Sequence, residues 1–336
     1  MYIRSRNIDS LFIIGAPLLA FLFIAMVSEP RFVSGQFLAN PKTSQWMIIL
    51  VSLMTQSHIM LVFLRSHGNS DVFRRYKFRF IVIPLLIIGA MWLNPVFFGI
   101  MGFVALYWDE WHSLMQTFGF GRIYDVKLGN NPETGRKLDM GMCFVLGLLP
   151  HILLLTFIPE EIRTSGLEFA FDLDRDVAEK YGHYIHAFQE PLIILGLAYI
   201  GYYIFRYRQL MKEGYKFSPN KLWLFASTGL SAILISSLYS VQEGAFFGNI
   251  YHALQYYFII YVSEVPVITK KIKSSERNKI LIIMAIAMII LGIALSLAYA
   301  RRLTEGVGFM GVIWLTTSLM HFWYDGFIWS VRKNDI

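Results

Sequence analysis

Two carboxylates, a histidine and a glutamine interrupt a strongly apolar run in the stretch Leu106-Tyr-Trp-Asp-Glu-Trp-His-Ser-Leu-Met-Gln116. On a helix Asp109, His112 and Gln116 recur at i, i+3, i+7 and share one face, whereas Glu110 points elsewhere. Three other apolar segments carry comparable groups: His58, His252 with Gln255 at i, i+3, and His321 with Asp325 at i, i+4. A charge at bilayer depth needs a partner or a purpose. Helical bundles bring such inward His and carboxylate groups together around divalent metals. Imidazole and carboxylate suit Fe(II), Mn(II) or Zn(II), and a facial set that leaves positions open activates dioxygen. His58, His112, His252, His321 and Asp325 are therefore the candidate metal ligands, and Asp109, Glu110 and Asp325 the candidate catalytic carboxylates. Asp109 or Asp325 has an alternative place outside the ligand set, accepting a ligand histidine's other N–H. Trp108, Trp111, Tyr256 and Trp323, with Gln116 and Gln255, would line a pocket for a lipophilic substrate. Belt and core packing is the commoner explanation of such aromatics.

The elements that must position these groups are membrane helices. The chain of 336 residues is 56% hydrophobic and 16% charged, with mean hydropathy +0.51, outside the range of a soluble domain. Runs long enough to span occur near 10–27, 46–64, 80–94, 96–118, 141–158, 190–206, 221–239, 246–265, 279–299 and 308–330. The third and fourth are split at Asn94-Pro95. The first run follows Arg4 and Arg6 without a small-residue cleavage signature and reads as a spanning helix rather than a leader. With both termini in the cytoplasm, 23 of the 30 lysines and arginines fall inside and 7 outside. The expected architecture is thus an all-α polytopic bundle of about ten transmembrane helices, one domain over 1–336, in a bacterial inner membrane. The longest outside segment, 159–189, is acidic and holds a short interfacial helix. The net charge of +7 follows topology rather than one basic face, which argues against nucleic acid as a partner. The single cysteine, Cys143, excludes a cysteine-rich metal site.

Depth tests whether the histidines can meet. At helical rise, His58 lies ~10 Å above Arg65, His112 ~15 Å above Arg122 and His321 ~16 Å above Arg332; His252 lies ~18 Å up if its helix ends near Glu264, before Pro266. All four can share one layer. His151 is expected to hydrogen-bond between helices. His183 and His186 read as surface residues of the acidic segment, and His67 as a cytoplasmic surface residue.

The run His321-Phe-Trp-Tyr-Asp325, with helix-borne histidines on several other segments, resembles the pattern of Brp/Blh-type β-carotene dioxygenases and, more loosely, of other membrane His-rich iron enzymes. In that family such segments are associated with an iron site. The resemblance implies Fe2+ and an isoprenoid or acyl substrate. The expected function is then a membrane non-haem iron oxygenase that cleaves, hydroxylates or desaturates a lipophilic substrate, possibilities that bring in membrane lipid and an electron donor as partners. Haem, with two histidines as axial ligands, or another divalent metal is the alternative cofactor. A proton-coupled transporter using Asp109, Glu110 and Asp325, or a haem electron-transfer protein, is the alternative function.

Overall fold

The computed structural model describes residues 2–34, 45–156, 174–270, 290–294 and 308–329, and among them all regular structure is helical. The helices are α1 Arg6–Asp9, α2 Ala16–Val27, α3 Arg31–Ser34, α4 Gln45–Ser66, α5 Ser70–Leu93, α6 Pro95–Lys127, α7 Arg136–Cys143 and α8 Leu149–Thr156, then α9 Arg175–Ala187, α10 Gln189–Lys212, α11 Pro219–Leu238, α12 Val241–Lys270 and α13 Phe309–Ile328. Two π-helical turns, Ser10–Ile14 and Phe144–Leu148, interrupt the first and the α7–α8 runs. Of the expected span at 279–299, only 290–294 lies within the described residues, and it is helical.

Among the described residues, five helical stretches are long and apolar enough to cross a membrane: Ala16–Ser34, Trp46–Ser66, Ser70–Leu93, Arg175–Lys212 and Pro219–Leu238. The helices bearing His112, His252 and His321 are not among the five, and each carries buried polar groups. Helix ends follow local chemistry. Asn69 begins α5 by accepting from Asp71 N and Val72 N, and the helix bends at Tyr76, where φ −123° and ψ 20° leave helical geometry. The predicted break at Asn94-Pro95 is present. Asn94 closes α5 and its Oδ1 accepts from Val96 N and Phe97 N at 3.0 and 3.1 Å, opening α6 with Pro95 at the first position. The helix carrying His252 does not stop before Pro266. α12 continues through the proline to Lys270, since a proline inside a helix is tolerated where neighbouring groups satisfy the carbonyl it frees. In the acidic segment, α9 is a charged helix with Asp174, Asp176 and Glu179 exposed; Glu160, Glu161, Glu168 and Asp172 lie outside the described residues.

The chain packs as two compact units. The first comprises Met1–Thr43 and Leu114–Gly248, the second Ser44–Ser113 and Asn249–Ile336. The first unit is built on a buried ionic knot. Arg122 on α6 donates to Asp125 at 2.7 Å and to Asp139 on α7 at 2.5 Å, and to the carbonyls of Pro132 and Thr134 at 2.9 and 2.7 Å. Lys221 on α11 reaches Asp125 at 2.7 Å and the hydroxyls of Tyr207 and Tyr215 at 2.9 and 2.8 Å. Tyr203 and Tyr207 donate to Asp139 at 2.8 and 2.6 Å. Gly135, at φ 73°, starts α7 where the Tyr207 hydroxyl leaves no room for a Cβ. Ser218 and Pro219 start α11, the serine hydroxyl accepting from Lys221 N. Asp9 is buried too, held by the backbone N–H groups of Ile3, Arg4 and Ser5 and by the Tyr124 hydroxyl.

In the second unit, α13 packs against α4 and α5 and is buried nearly all round, from Gly311 to Ile328. A helix that is hydrophobic nearly all round belongs in an interior, and α13 carries His321 and Asp325 there.

Candidate metal centre

Four helices each place one histidine in the second unit: His58 from α4, His112 from α6, His252 from α12 and His321 from α13. All four are buried, with relative exposures of 1%, 7%, 1% and 0%. His58 sits 4.8 Å, ring centroid to centroid, from both His252 and His321. His112 sits at the same 4.8 Å from the same two rings. His252 and His321 face each other across this quadrilateral at 6.2 Å.

These distances have a chemical meaning. Half of the 6.2 Å separation is about 3.1 Å, and a metal–imidazole bond of about 2.0–2.1 Å plus roughly 1.1 Å from nitrogen to ring centre comes to nearly the same. His112 Nε2 and His321 Nε2 approach to 3.2 Å, a spacing that neighbouring ligands of one ion adopt. Three of the histidines, His58, His252 and His321, bring a ligand nitrogen each within 4.8 Å of one another, and so do His112 and His321 with a carboxylate oxygen of Asp325. His321 is common to both sets.

Asp325 is aimed by its surroundings. Its Oδ1 accepts from the Tyr256 hydroxyl and the Trp329 indole N–H, each at 3.0 Å. Its Oδ2 is left facing His112 Nε2 at 3.5 Å and His321 Nε2 at 3.9 Å. His321, Asp325 and Trp329 follow at i, i+4, i+8, and His252 and Tyr256 at i, i+4, so two helix faces build the whole carboxylate side. Trp329 is held in turn by the Arg65 guanidinium, 4.1 Å over its ring. Arg65 also donates to the Ile328 carbonyl at 3.1 Å and is ion-paired with buried Glu264. The arginine and glutamate charges cancel, leaving one carboxylate among four imidazoles.

Both ring nitrogens of His58 and Nδ1 of His321 are buried without a partner in hydrogen-bond geometry among the described residues, the His58 ring feeling only the backbone of its own helix at Met54 and Thr55. Buried polar atoms are normally satisfied, so orphaned nitrogens in such a cluster call for a ligand. Nitrogen and oxygen donors from separate helices, converging on one point, fit a divalent metal ion.

The other sequence candidates take different places. Gln255 is fully buried in the same unit. Trp108 stands one ring away, 6.2 Å from Phe322, which lies 5.2 Å from His112. Asp109 is half-buried on α6, Glu110 is exposed, and neither belongs to the two ligand sets. Trp111 is exposed, and Trp323 packs on Tyr324 and Phe327. Gln116 falls in the first unit. His67 lies in the turn after α4, hydrogen-bonded to Ser66 and packed among Phe63, Phe73 and Phe80. His151 meets Ser236 at 3.2 Å, the interhelical role expected of it. His183 is exposed. The sequence reading missed Trp329 and the Arg65–Glu264 pair. The continued i+4 spacing from His321 through Asp325 to Trp329 was the available signal.

Comparisons with protein-family models, with curated proteins and with solved structures found no match to this chain. What the centre does has to be read from its own chemistry.

Proposed function

We propose that this chain is an integral membrane metalloenzyme in which His58, His112, His252, His321 and Asp325 hold one iron(II), used oxidatively on a lipophilic isoprenoid or acyl substrate. The observation that carries this reading is the quadrilateral of four histidine rings, each from a different helix, with Asp325 turned toward it. Imidazole nitrogens and a carboxylate oxygen suit iron(II), and five such donors from the chain would leave the ion room for a further ligand. Bound there, iron would supply dioxygen activation. The chain's own part is to fix the ligands and keep the centre dry. Tyr256 and Trp329 hold one oxygen of Asp325 and leave the other for the ion. Phe322 and Trp108 wall the His112 side with hydrocarbon, which suits an apolar substrate arriving from the bilayer. The His-x-x-x-Asp resemblance supports iron and an isoprenoid.

The packing speaks against haem. The His252–His321 pair has a separation that suits axial ligation, yet His58 and His112 both stand 4.8 Å from each of that pair, in the plane that a porphyrin needs. We read the topology as ten spans with both termini on the cytoplasmic side of a bacterial inner membrane, on the distribution of 23 inside and 7 outside basic residues.

Oxygen uptake tests the reaction. Iron-loaded full-length protein in liposomes carrying β-carotene, or an unsaturated acyl lipid in a parallel sample, is expected to consume dioxygen and yield oxygenated, cleaved or desaturated product by mass spectrometry. The reductant-supplied and reductant-free arms separate dioxygenase from monooxygenase or desaturase chemistry. Iron-loaded protein that consumes no dioxygen with either probe in either arm contradicts the proposal.

A further inference from the structure

A second site stands in the first unit and shares no residue with the metal ligands. An apolar cleft of about 200 Å³ runs between the α7–α8 segment, α10 and α11. That exceeds the ~150 Å³ of an apolar cavity that stays dry and admits benzene. Its walls are hydrocarbon, with Leu149, Leu153 and Ile200 among them, and it opens outward past Leu197 and Ile233, which are 64% and 50% exposed. α11 is apolar enough to span a membrane, so the opening faces acyl chains.

Three features mark it as more than a gap between helices. The π-helical turn Phe144–Leu148 contributes Val145 and Leu146 to the wall. Such turns are rare and concentrate at functional sites. Secondly, the cleft has a polar end. Ser236 and the exposed Ser237 line it; Ser236 is 5% exposed and meets His151 Nδ1 at 3.2 Å. Thirdly, that hydroxyl is turned away from the usual helical habit. Thr228 on the same helix returns its hydroxyl to the Leu224 carbonyl four residues back at 2.9 Å, whereas Ser236 reaches across to another helix.

The pairing fixes what Ser236 has left to offer. If His151 Nδ1 accepts, the serine oxygen is free to accept from a ligand hydroxyl; if Nδ1 carries the proton, the serine O–H is free to donate to a ligand carbonyl. The walls provide no cation, so an ionised carboxylate entering the cleft would lose its hydration without compensation. We propose that this cleft binds a neutral long-chain or isoprenoid lipid by its oxygenated end, an alcohol or a carbonyl hydrogen-bonded to Ser236, with the hydrocarbon tail leaving past Leu197 and Ile233. A phospholipid tail ends in a methyl group and gives Ser236 nothing, which distinguishes the free lipid from the surrounding bilayer.

Photolabelling tests this on the full-length protein in nanodiscs, using a diazirine-bearing long-chain primary alcohol as probe. Saturable labelling of peptides carrying Leu153, Leu197 or Ile233 is expected, competed by the unlabelled alcohol and not by an ionised fatty acid. Ser236→Ala should weaken it about three- to tenfold, the effect of one buried hydrogen bond. Ile233→Trp, placed from the exposed side so that folding is spared, should abolish it while leaving elution volume and metal content unchanged. Equal labelling by a diazirine phospholipid would make the cleft a seat for bilayer lipid and overturn the proposal. Labelling that does not saturate overturns it as well, and so does labelling unaffected by Ser236→Ala.

Discussion

Each compact unit buries a cluster of polar groups, and the two clusters solve opposite problems. In the first unit, Arg122, Lys221, Asp125 and Asp139 balance two positive charges against two negative ones, and three tyrosines and a loop of carbonyls take up further hydrogen bonds. In the second, four imidazoles are turned toward one another, and orphaned nitrogens remain on His58 and His321. A buried network whose charges pair internally is a tie between helices. One whose donors converge and stay unsatisfied is built for something not made of protein.

The contrast predicts different failures. The largest effect belongs to Lys221→Met, which leaves Asp125 and Asp139 with a single cation and should cost roughly 3–5 kcal/mol. Thermal unfolding in detergent reads it, and an unchanged midpoint would mean that the knot is ornamental. His112→Ala should do the reverse. Metal retention should fall by more than the roughly 10–100-fold typical of losing an outer partner, while the metal-free protein unfolds within about 1 kcal/mol of the parent. Full occupancy after dialysis would remove His112 from the ligand set. Trp329→Phe and Tyr256→Phe each free one hydrogen bond to Asp325 Oδ1, and each should weaken metal binding by roughly 10–100-fold with the fold intact. Competition against a chelator measures that, and wild-type affinity in both variants would show that Asp325 needs no aiming.

The smallest effect comes from a histidine that is only packed. Partial burial against aromatic rings pushes His67, which keeps an exposed edge, below the ordinary histidine value, a backbone hydrogen bond at Phe80 opposing. Its pKa is thus lower folded than unfolded, and the unfolded chain takes up the extra proton. Its contribution to stability is full above about pH 6.5 and declines as pH falls through that unfolded value toward the lowered one. His67→Phe should keep its metal and lose less stability than the parent between neutral pH and about pH 5. Parallel unfolding curves for the two proteins would contradict this.

How much of this was legible in the sequence varies by region. His58, His112, His252, His321 and Asp325 stood out because polar groups in apolar runs are conspicuous, and their depth in the helices allowed one layer. The break at Asn94-Pro95 was legible because proline and asparagine act locally. The run of α12 through Pro266 was not, since neighbouring structure decides whether a proline ends a helix. The knot of the first unit was hidden for a different reason. Arg122 and Lys221 lie 99 positions apart in sequence, among basic residues that the topology rule already explained, and nothing in their spacing says that they share Asp125 and Asp139. Arg65 and Glu264 escaped notice in the same way.

The central claim is that the histidine quadrilateral holds a metal ion, and the iron content of the full-length protein, purified anaerobically in detergent and read beside its absorption spectrum, tests it most directly. One iron per chain with no Soret band is the predicted result. Protein from iron-replete cells that is folded and carries no metal would contradict it.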